Sequence, residues 1–489
     1  MTRQQGRESK DRVRAFGALL GLLLGCAHAP PAPPTPTARP AVFYEVFVRS
    51  FADADGDGTG DLRGLTASLD VLKALGVDAL WLMPIHPSPS YHGYDVTDYR
   101  AIHPDFGTLA DFDALVAAAH VRGIQIVLDY VMNHASVEHP AFRDHPERFL
   151  WRDDDPGWRQ PWGDGPVWHP TRPGASSKSA YYYGIFWSGM PDWNLAAPEV
   201  EAEHLANLRF WRARGVEGFR IDAARHLFES PTGELSDQPA THAFMRRMKE
   251  NVPGALLVAE AWTHPETVAT YRGEYDLAFA FDTAGAIKTA LRDGLRADFV
   301  QAQARSEGAF PDRSFEATFL SNHDMERVMR TLRDDAPSMR AAAATLFALP
   351  GTPFIYYGEE IGMRGGPGPR DEDKRTPMEW DEVEKQRGTK GSLWTLYRDL
   401  IALRRDIDGS TRRPVIAEKS RGVTALLRGE KTLFVVNFAA DRAEPFSVEV
   451  CGDPRVLYAE GLDEPPQKGP GKVHFPTGLA GRGFAFVRL

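Results

Sequence analysis

Gly218–His226 reads G-F-R-I-D-A-A-R-H. Phe219 and Ile221 are apolar and alternate with Arg220 and Asp222. Alternation with period two marks a short strand, so Arg220 and Asp222 share one face and Asp222 stands where the strand ends. A carboxylate beside a guanidinium stays ionised at neutral pH. Such a group at a strand end can serve as a nucleophile; it can equally be half of a buried structural ion pair. The neighbouring stretches decide between the two.

Upstream, Ala41–Phe51 is strand-like, and Leu62, Leu65, Leu69 and Leu72 form a helical stripe that Gly76 stops. Ala79–Ile85 reads as a buried strand. Leu109, Phe112, Val116 and Ala119 predict a second helix, stopped by Gly123, and Ile124–Asn133 a third strand. The pattern breaks over His134–Leu195, rich in Trp, Pro, Gly and Asp, then resumes with helix Val200–Arg214 before Gly218. Downstream come helix Thr241–Asn251, strand Ala255–Trp262, strand Leu277–Asp282, helices to about Ser306 and strand Phe315–Asn322. Helix Met339–Leu349, strand Pro353–Glu360 and helix Leu393–Arg404 close the series. Eight strand–helix units predict an α/β fold, a (β/α)₈ barrel over residues 41–133 and 196–408 with an inserted domain at 134–195 after strand three. Short alternating strands such as Thr432–Phe438 and Phe484–Leu489 predict an all-β sandwich over 411–489.

In a barrel of this kind chemistry sits at the C-terminal strand ends. Here those ends carry Asp129, Asp222, Glu260, and His323 with Asp324. Unpaired buried carboxylates are costly, so this convergence is poorly explained as core packing.

The chain has 489 residues, is 43% hydrophobic, and carries 57 basic against 67 acidic residues for a formal charge of −10. It can bury a large core, and the acidic balance argues against a nucleic-acid partner. Arg3, Arg7, Arg12 and Arg14 precede the eleven-residue apolar run Ala15–Gly25, the length of a signal-peptide core rather than of a membrane span. That run ends in Leu23-Leu24-Gly25-Cys26, which resembles a lipoprotein processing site in which Cys26 is lipidated; cleavage after Ala27 or Ala29 would instead release a secreted protein. Six prolines in the fourteen residues 27–40 predict an extended tether with a reach of roughly 40 Å. The expected product is an exported, membrane-anchored monomer that meets a membrane only through its lipid. With only Cys26 and Cys451 present, lipidation of Cys26 leaves no disulfide.

The motifs together resemble the alpha-amylase superfamily, glycoside hydrolase family 13, and its oligo-1,6-glucosidase-like members, over nearly the whole mature chain. Asp129–His134 (DYVMNH), GFRIDAARH, Glu260 in VAEAW, and Phe319–Asp324 (FLSNHD) resemble the family's catalytic motifs in order. Gly93–Tyr99 (GYDVTDY) resembles the stretch that sets Tyr94 under the reacting sugar, and Gly351–Met363 the eighth-strand motif. The resemblance implies a retaining enzyme acting on alpha-1,4-glucosidic bonds of starch, maltodextrin or glycogen. Asp222 would be the nucleophile, Glu260 the acid/base, protonated at rest, and Asp324 the carboxylate that distorts the substrate. Arg220 would aim Asp222, and His134 and His323 would bind sugar hydroxyls. Arg225 and His226 would face the leaving-group side, Arg225 standing where Lys is more frequent. Such an enzyme needs its two carboxyl groups roughly 5–5.5 Å apart. Met190–Leu195 (MPDWNL) sits where the family has a subgroup-sensitive motif and resembles the form between the oligo-1,6-glucosidase and neopullulanase types, with Trp193 where Leu is usual, and Arg375–Trp380 (RTPMEW) looks glucosidase-like. An Asp95–Arg375 pair would close the glycone end. The alternatives are an exo-acting alpha-glucosidase, oligo-1,6-glucosidase or glucan transferase, and a non-catalytic glucan-binding module. The intact carboxylate triad argues against the last.

Six of the eleven tryptophans lie between Trp151 and Trp193. They would either wall the cleft, since sugar faces pack on aromatic rings, or form the insertion's own core. Finally, Asp53–Asp61 reads D-A-D-G-D-G-T-G-D. Alternating carboxylates with Gly58 at a sharp turn suit Ca²⁺, although position twelve is Gly64 and the loop is therefore no EF-hand. The resemblance implies Asp53, Asp55, Asp57, Thr59 through its carbonyl, and Asp61 as ligands of a structural Ca²⁺.

Overall fold

The computed structural model describes residues 42–171, 179–311, 314–407, 412–415 and 420–489. The basic leader, Cys26 and the proline tether lie outside the described residues. Eight parallel strands close into a barrel: β1 (Phe43–Val46), β2 (Ala79–Leu82), β3 (Gln125–Tyr130), β4 (Gly218–Ile221), β5 (Leu256–Ala259), β6 (Leu277–Phe279), β7 (Glu316–Thr318) and β8 (Thr352–Tyr356). Each strand pairs with its neighbours in sequence and β1 closes on β8, so every crossover leads to the adjacent strand.

The helices between them obey local chemistry. In α1 (Leu62–Leu75) the Asp61 carboxylate accepts from the N–H groups of Arg63 and Gly64, and Gly76 ends the helix with φ 102°. Thr108 and Asp111 form a reciprocal capping box on α2 (Leu109–Val121). Along the strands, inward positions such as Phe43, Trp81, Val127, Val258, Phe279, Ala317 and Phe354 form a core inside the barrel. Outward positions such as Tyr44, Leu80, Ile126, Phe219 and Leu257 pack under the helices. Both faces of each strand are therefore apolar, as a parallel sheet covered by helices requires.

The first strand is shorter than the sequence predicts. It ends at Val46, and Val48–Phe51 is a helical turn. Backbone groups here go to residues 375–380 instead of a ladder: Met378 N donates to Ser50 O at 2.8 Å and Trp380 Nε1 to Phe51 O at 2.6 Å.

Within the insertion, Trp151–Arg152, Tyr181–Tyr183 and Trp168–Pro170 form a small sheet in that spatial order. After α3 (Leu393–Arg405) come β9 (Arg412–Val415), β10 (Val423–Arg428), β11 (Thr432–Asn437), β12 (Phe446–Val448), β13 (Arg455–Glu460), β14 (Gln467–Gly469), β15 (Lys472–Phe475) and β16 (Phe484–Arg488). They build a five-stranded sheet, β9-β10-β11-β16-β13, and a three-stranded one, β12-β15-β14. Alternate residues of the larger sheet face two cores. Ala425, Leu427, Val435 and Val487 meet Phe446, Val473 and Phe475 of the smaller sheet. Leu426, Phe434, Val436 and Phe486 join the core shared with the barrel.

Candidate active site

Strand register puts the charged residues together. Asp129 on β3 is the register partner of Arg220 on β4, and both occupy inward positions. Gly218 starts β4 where a Cβ would lie 2.3 Å from Leu256 O, so only glycine permits this approach to β5. Beyond the strand, Glu260 N donates to Ile221 O and Ala224 N to Glu260 O, each at 3.2 Å, which holds Asp222 beside Glu260. Ala223 follows with φ 51°, a strained left-handed turn that takes the chain out of the barrel. Its N–H donates to Glu260 Oε2 at 3.3 Å.

Arg220 is the hub. Its Nη1 donates to Asp129 Oδ1 and to Asp222 Oδ1, each at 2.8 Å, and its Nη2 lies 2.7 Å from Glu260 Oε2. The guanidinium carbon lies 5.2 Å from the Trp81 ring and 5.8 Å from that of Tyr94. Burial raises the pKa of Asp222; Arg220 opposes the rise, and Glu260, Asp129 and Asp324 add to it. The simple pairing expected from the sequence is thus replaced by three carboxylates on one cation. A buried cluster of that charge favours retaining a proton.

A second cluster faces the first. His323 Nδ1 meets Glu45 Oε1 at 2.6 Å, while Nε2 lies 3.0 Å from Asp324 Oδ2 and 2.7 Å from the Tyr94 hydroxyl. Burial disfavours a charged ring, yet Asp324 and Glu45 outweigh it and lift the pKa of His323 to about 10. The imidazolium donates from both nitrogens. Burial works against the charge of Asp324 as well, but His323 and Arg375 hold its pKa far below the usual carboxylate range. Arg375 Nη2 donates to Asp324 Oδ1 at 3.0 Å and its Nε to His323 O at 3.1 Å.

Both clusters open onto one cleft of about 720 Å³, lined by Tyr94, His134, Asp222, Arg225, His226, Glu260, Asp324 and Arg375. His134 is fully buried, its Nε2 has no protein partner, and burial lowers its pKa to about 3. A neutral ring with an open nitrogen suits a hydroxyl. Arg225 is clamped by Asp237 at 3.0 and 2.5 Å and donates to Trp262 O at 2.9 Å; His226 Nδ1 bonds Leu235 O at 2.9 Å.

Asp95 departs from expectation. Its carboxylate accepts from the Ser88 and Ser90 hydroxyls, and it does not line the cleft. Arg375 pairs instead with Asp324 and, at 3.5 Å, with Asp371. Tyr94 and Asp95 are successive residues, and the one that faces His323 leaves the other turned to its own loop. The tryptophans divide. Trp168 and Trp193 are buried, and Trp158 packs on Trp168; Trp162 and Trp187 line the cleft, 51% and 49% exposed, with Trp162 stacked on Phe186. Glu45, Trp81, His92, Trp262 and Asp371 were not singled out from sequence. Only Glu45 left a signal there, a lone charge in the apolar run F-Y-E-V-F. The others sit in loops or read as core.

In the acidic loop, oxygens of Asp53, Asp55 and Asp61 lie within 4.8 Å of one another. Asp57 is not in the group: its Oδ1 accepts from Thr59 N at 2.7 Å, as Asx turns do. Asp61 also caps α1.

A family model described as alpha amylase, catalytic domain, matches residues 45–406. The chain belongs to the alpha-amylase family. It is 38% identical over 361 residues to alpha-amylase 3 of Dictyoglomus thermophilum, covering 72% of this chain and 70% of that protein. Against the oligo-1,6-glucosidase of Parageobacillus thermoglucosidasius it is 31% identical over 438 residues, 73% and 77% of the two chains. The solved alpha-amylase from H. orenii superposes with a TM-score of 0.80 at 33% identity, over 92% of this chain and 100% of that one. This chain is therefore a glycoside hydrolase of the alpha-amylase family, a glucan-active enzyme on the family's barrel.

Proposed function

We propose that the enzyme hydrolyses alpha-1,4-glucosidic bonds of starch, maltodextrin or glycogen by double displacement. The observation that carries this reading is the sharing of Arg220 by Asp222 and Glu260, one on each terminal nitrogen, on the floor of an aromatic-walled cleft. Asp222 attacks the anomeric carbon as the bond to the leaving oxygen breaks, and a proton on Glu260 passes to that oxygen. Water then attacks the same carbon, Glu260 takes its proton and Asp222 departs, so configuration is retained. Asp324, fixed by His323 and Arg375, stays ionised and faces the positive charge that develops on the sugar ring. Tyr94 and His134 orient the sugar.

The acidic loop fits a cation. Asp53, Asp55 and Asp61 are hard oxygen donors whose hydrogen bonds come from backbone amides, and each oxygen has a second lone pair to offer. Ca²⁺ held there would offset two of the three negative charges next to α1, a structural role. Cys26 would carry the lipid that tethers the exported enzyme.

The test is a chromatographic time course on soluble starch with the anomer of the first product read by NMR. Alpha-anomeric maltooligosaccharides from the wild type, and losses of at least about a thousandfold in Asp222→Asn and Glu260→Gln, support the mechanism. Glucose as the sole early product supports the exo-acting glucosidase reading. Near-normal hydrolysis by either variant overturns the roles stated here.

A further inference from the structure

Arg225 and Asp237 tie two loops of the barrel mouth together. Both belong to the stretch that leaves β4, Arg225 close behind Asp222 and Asp237 just ahead of the helix Pro239–Asn251. Arg225 Nε and Nη2 donate to the two oxygens of Asp237 at 3.0 and 2.5 Å, and Asp237 N donates to Arg225 O at 2.8 Å. The remaining terminal nitrogen, Nη1, crosses to the stretch leaving β5 and donates to Trp262 O at 2.9 Å. That stretch also reaches back: Tyr271, fully buried, donates its hydroxyl to Asp237 Oδ1 at 2.7 Å. Asp237 is held at φ 56°, a left-handed conformation that side chains rarely adopt and that persists where the surroundings enforce it. Burial opposes its charge, yet Arg225 and Tyr271 hold its pKa below the usual carboxylate value.

In the hydrolase reading, on which this inference rests, a proton passes from Glu260 to the leaving oxygen while Asp222 attacks, so the ends of β4 and β5 must keep a fixed spacing. At Glu260 itself backbone bonds set that spacing, Glu260 N to Ile221 O and Ala224 N to Glu260 O. Two residues on, the bond from Arg225 Nη1 to Trp262 O continues the tie, and Asp237 aims the guanidinium that makes it. Only a planar fork can meet a carboxylate on one edge and a carbonyl beside it; a lysine ammonium is a point charge without that geometry. Asp237 does not line the cleft, so its effect on the reaction passes through Arg225. We propose that Asp237 is a positioning residue for the acid/base: through Arg225 it holds the segment 260–262 against the loop that carries the nucleophile.

The experiment measures kcat/KM for aryl α-glycosides that differ only in the acidity of the leaving phenol, from phenyl to dinitrophenyl. The glycone is whichever of glucosyl, maltosyl and maltotriosyl the wild type cleaves fastest. Wild type is compared with Asp237→Asn and Arg225→Lys. Asn tolerates the left-handed backbone, so it removes the charged fork without straining the loop, and Lys keeps the charge of Arg225 without the fork. A phenol acidic enough to leave unaided needs no proton from Glu260. Both variants should therefore lose about tenfold or more on the phenyl glycoside and less than about threefold on the dinitrophenyl one, a steeper dependence of rate on leaving-group acidity. A general loss of packing or of substrate affinity would lower the whole series evenly, and a melting curve for each variant shows that it is folded. An even fall across the series in Asp237→Asn, or no fall, overturns this inference alone. Absence of starch cleavage by the wild type overturns the hydrolase reading, and this inference with it.

Discussion

Replacing Glu45 by Gln should lower the pH at which the buried His323 ring loses its proton. Glu45 lies opposite Asp324 across the His323 ring, 2.6 Å from Nδ1, and is 2% exposed. Charge centres about 4 Å apart at an effective dielectric near 20 attract by about 4 kcal/mol, on the order of three pH units in the proton affinity of the ring. Asp324 acts on the other nitrogen and is the larger source of the rise, and the Gln carbonyl still accepts from Nδ1. The net fall should therefore be about one to two pH units, from about 10 toward roughly 8–9. Neutral His323 no longer stabilises the charge of Asp324, so that support should be lost at a correspondingly lower pH. Stability carries the same sign. The folded pKa of His323 lies above its ordinary 6.5, so its contribution is complete below pH 6.5 and is lost as pH climbs to about 10. The unfolding free energy of the wild type should fall over that window by up to about 1.4 kcal/mol per pH unit from this group, with the melting temperature falling alongside it, and in Glu45→Gln the fall should end sooner. An NMR titration of the His323 ring from about pH 5 to about pH 10.5, with thermal melts in the same buffers, reads both. A cooperatively folded Glu45→Gln enzyme whose His323 loses its proton at the wild-type pH would refute the argument that Glu45 governs the charge on His323.

Asp53→Ala with Asp55→Ala should lower both bound calcium and melting temperature, whereas Asp57→Ala, whose carboxylate bonds Thr59 N, should leave calcium content near the wild-type value; metal analysis and melts decide. Trp162→Ala should lower kcat/KM for long maltooligosaccharides about fivefold through loss of a ring face, while Trp168→Ala, 5% exposed in the insertion's core, should lower melting temperature by several degrees instead. Cys26→Ser should release the protein from the membrane fraction or block its processing; a wild-type protein recovered wholly soluble with an unmodified N-terminus beyond residue 26 would end that reading.

Much of the fold was legible because each unit is local. Leu62 to Leu72 with Gly76, or Phe219 and Ile221 around Arg220, specify an element without help from distant residues. Parallel strands buried on both faces read as apolar runs, and their ends stand out where a charge follows, as at Asp129, Asp222, Glu260 and Asp324. The extent of β1 was not legible, because Ser50 and Phe51 give their carbonyls to Met378 and Trp380, more than three hundred residues away.

Sequence by itself determined the barrel, its insertion and the residue types at the strand ends, since periodicity and chain order suffice for these. Tertiary structure alone decided which groups share a charge. Arg220 serves Asp129 and Glu260 as well as Asp222, Glu45 completes His323, and Arg375 turns to Asp371 rather than Asp95. The reason is physical. A carboxylate's partner, and with it its protonation, depends on distances of a few ångströms across the barrel mouth, where strands far apart in the chain meet in register.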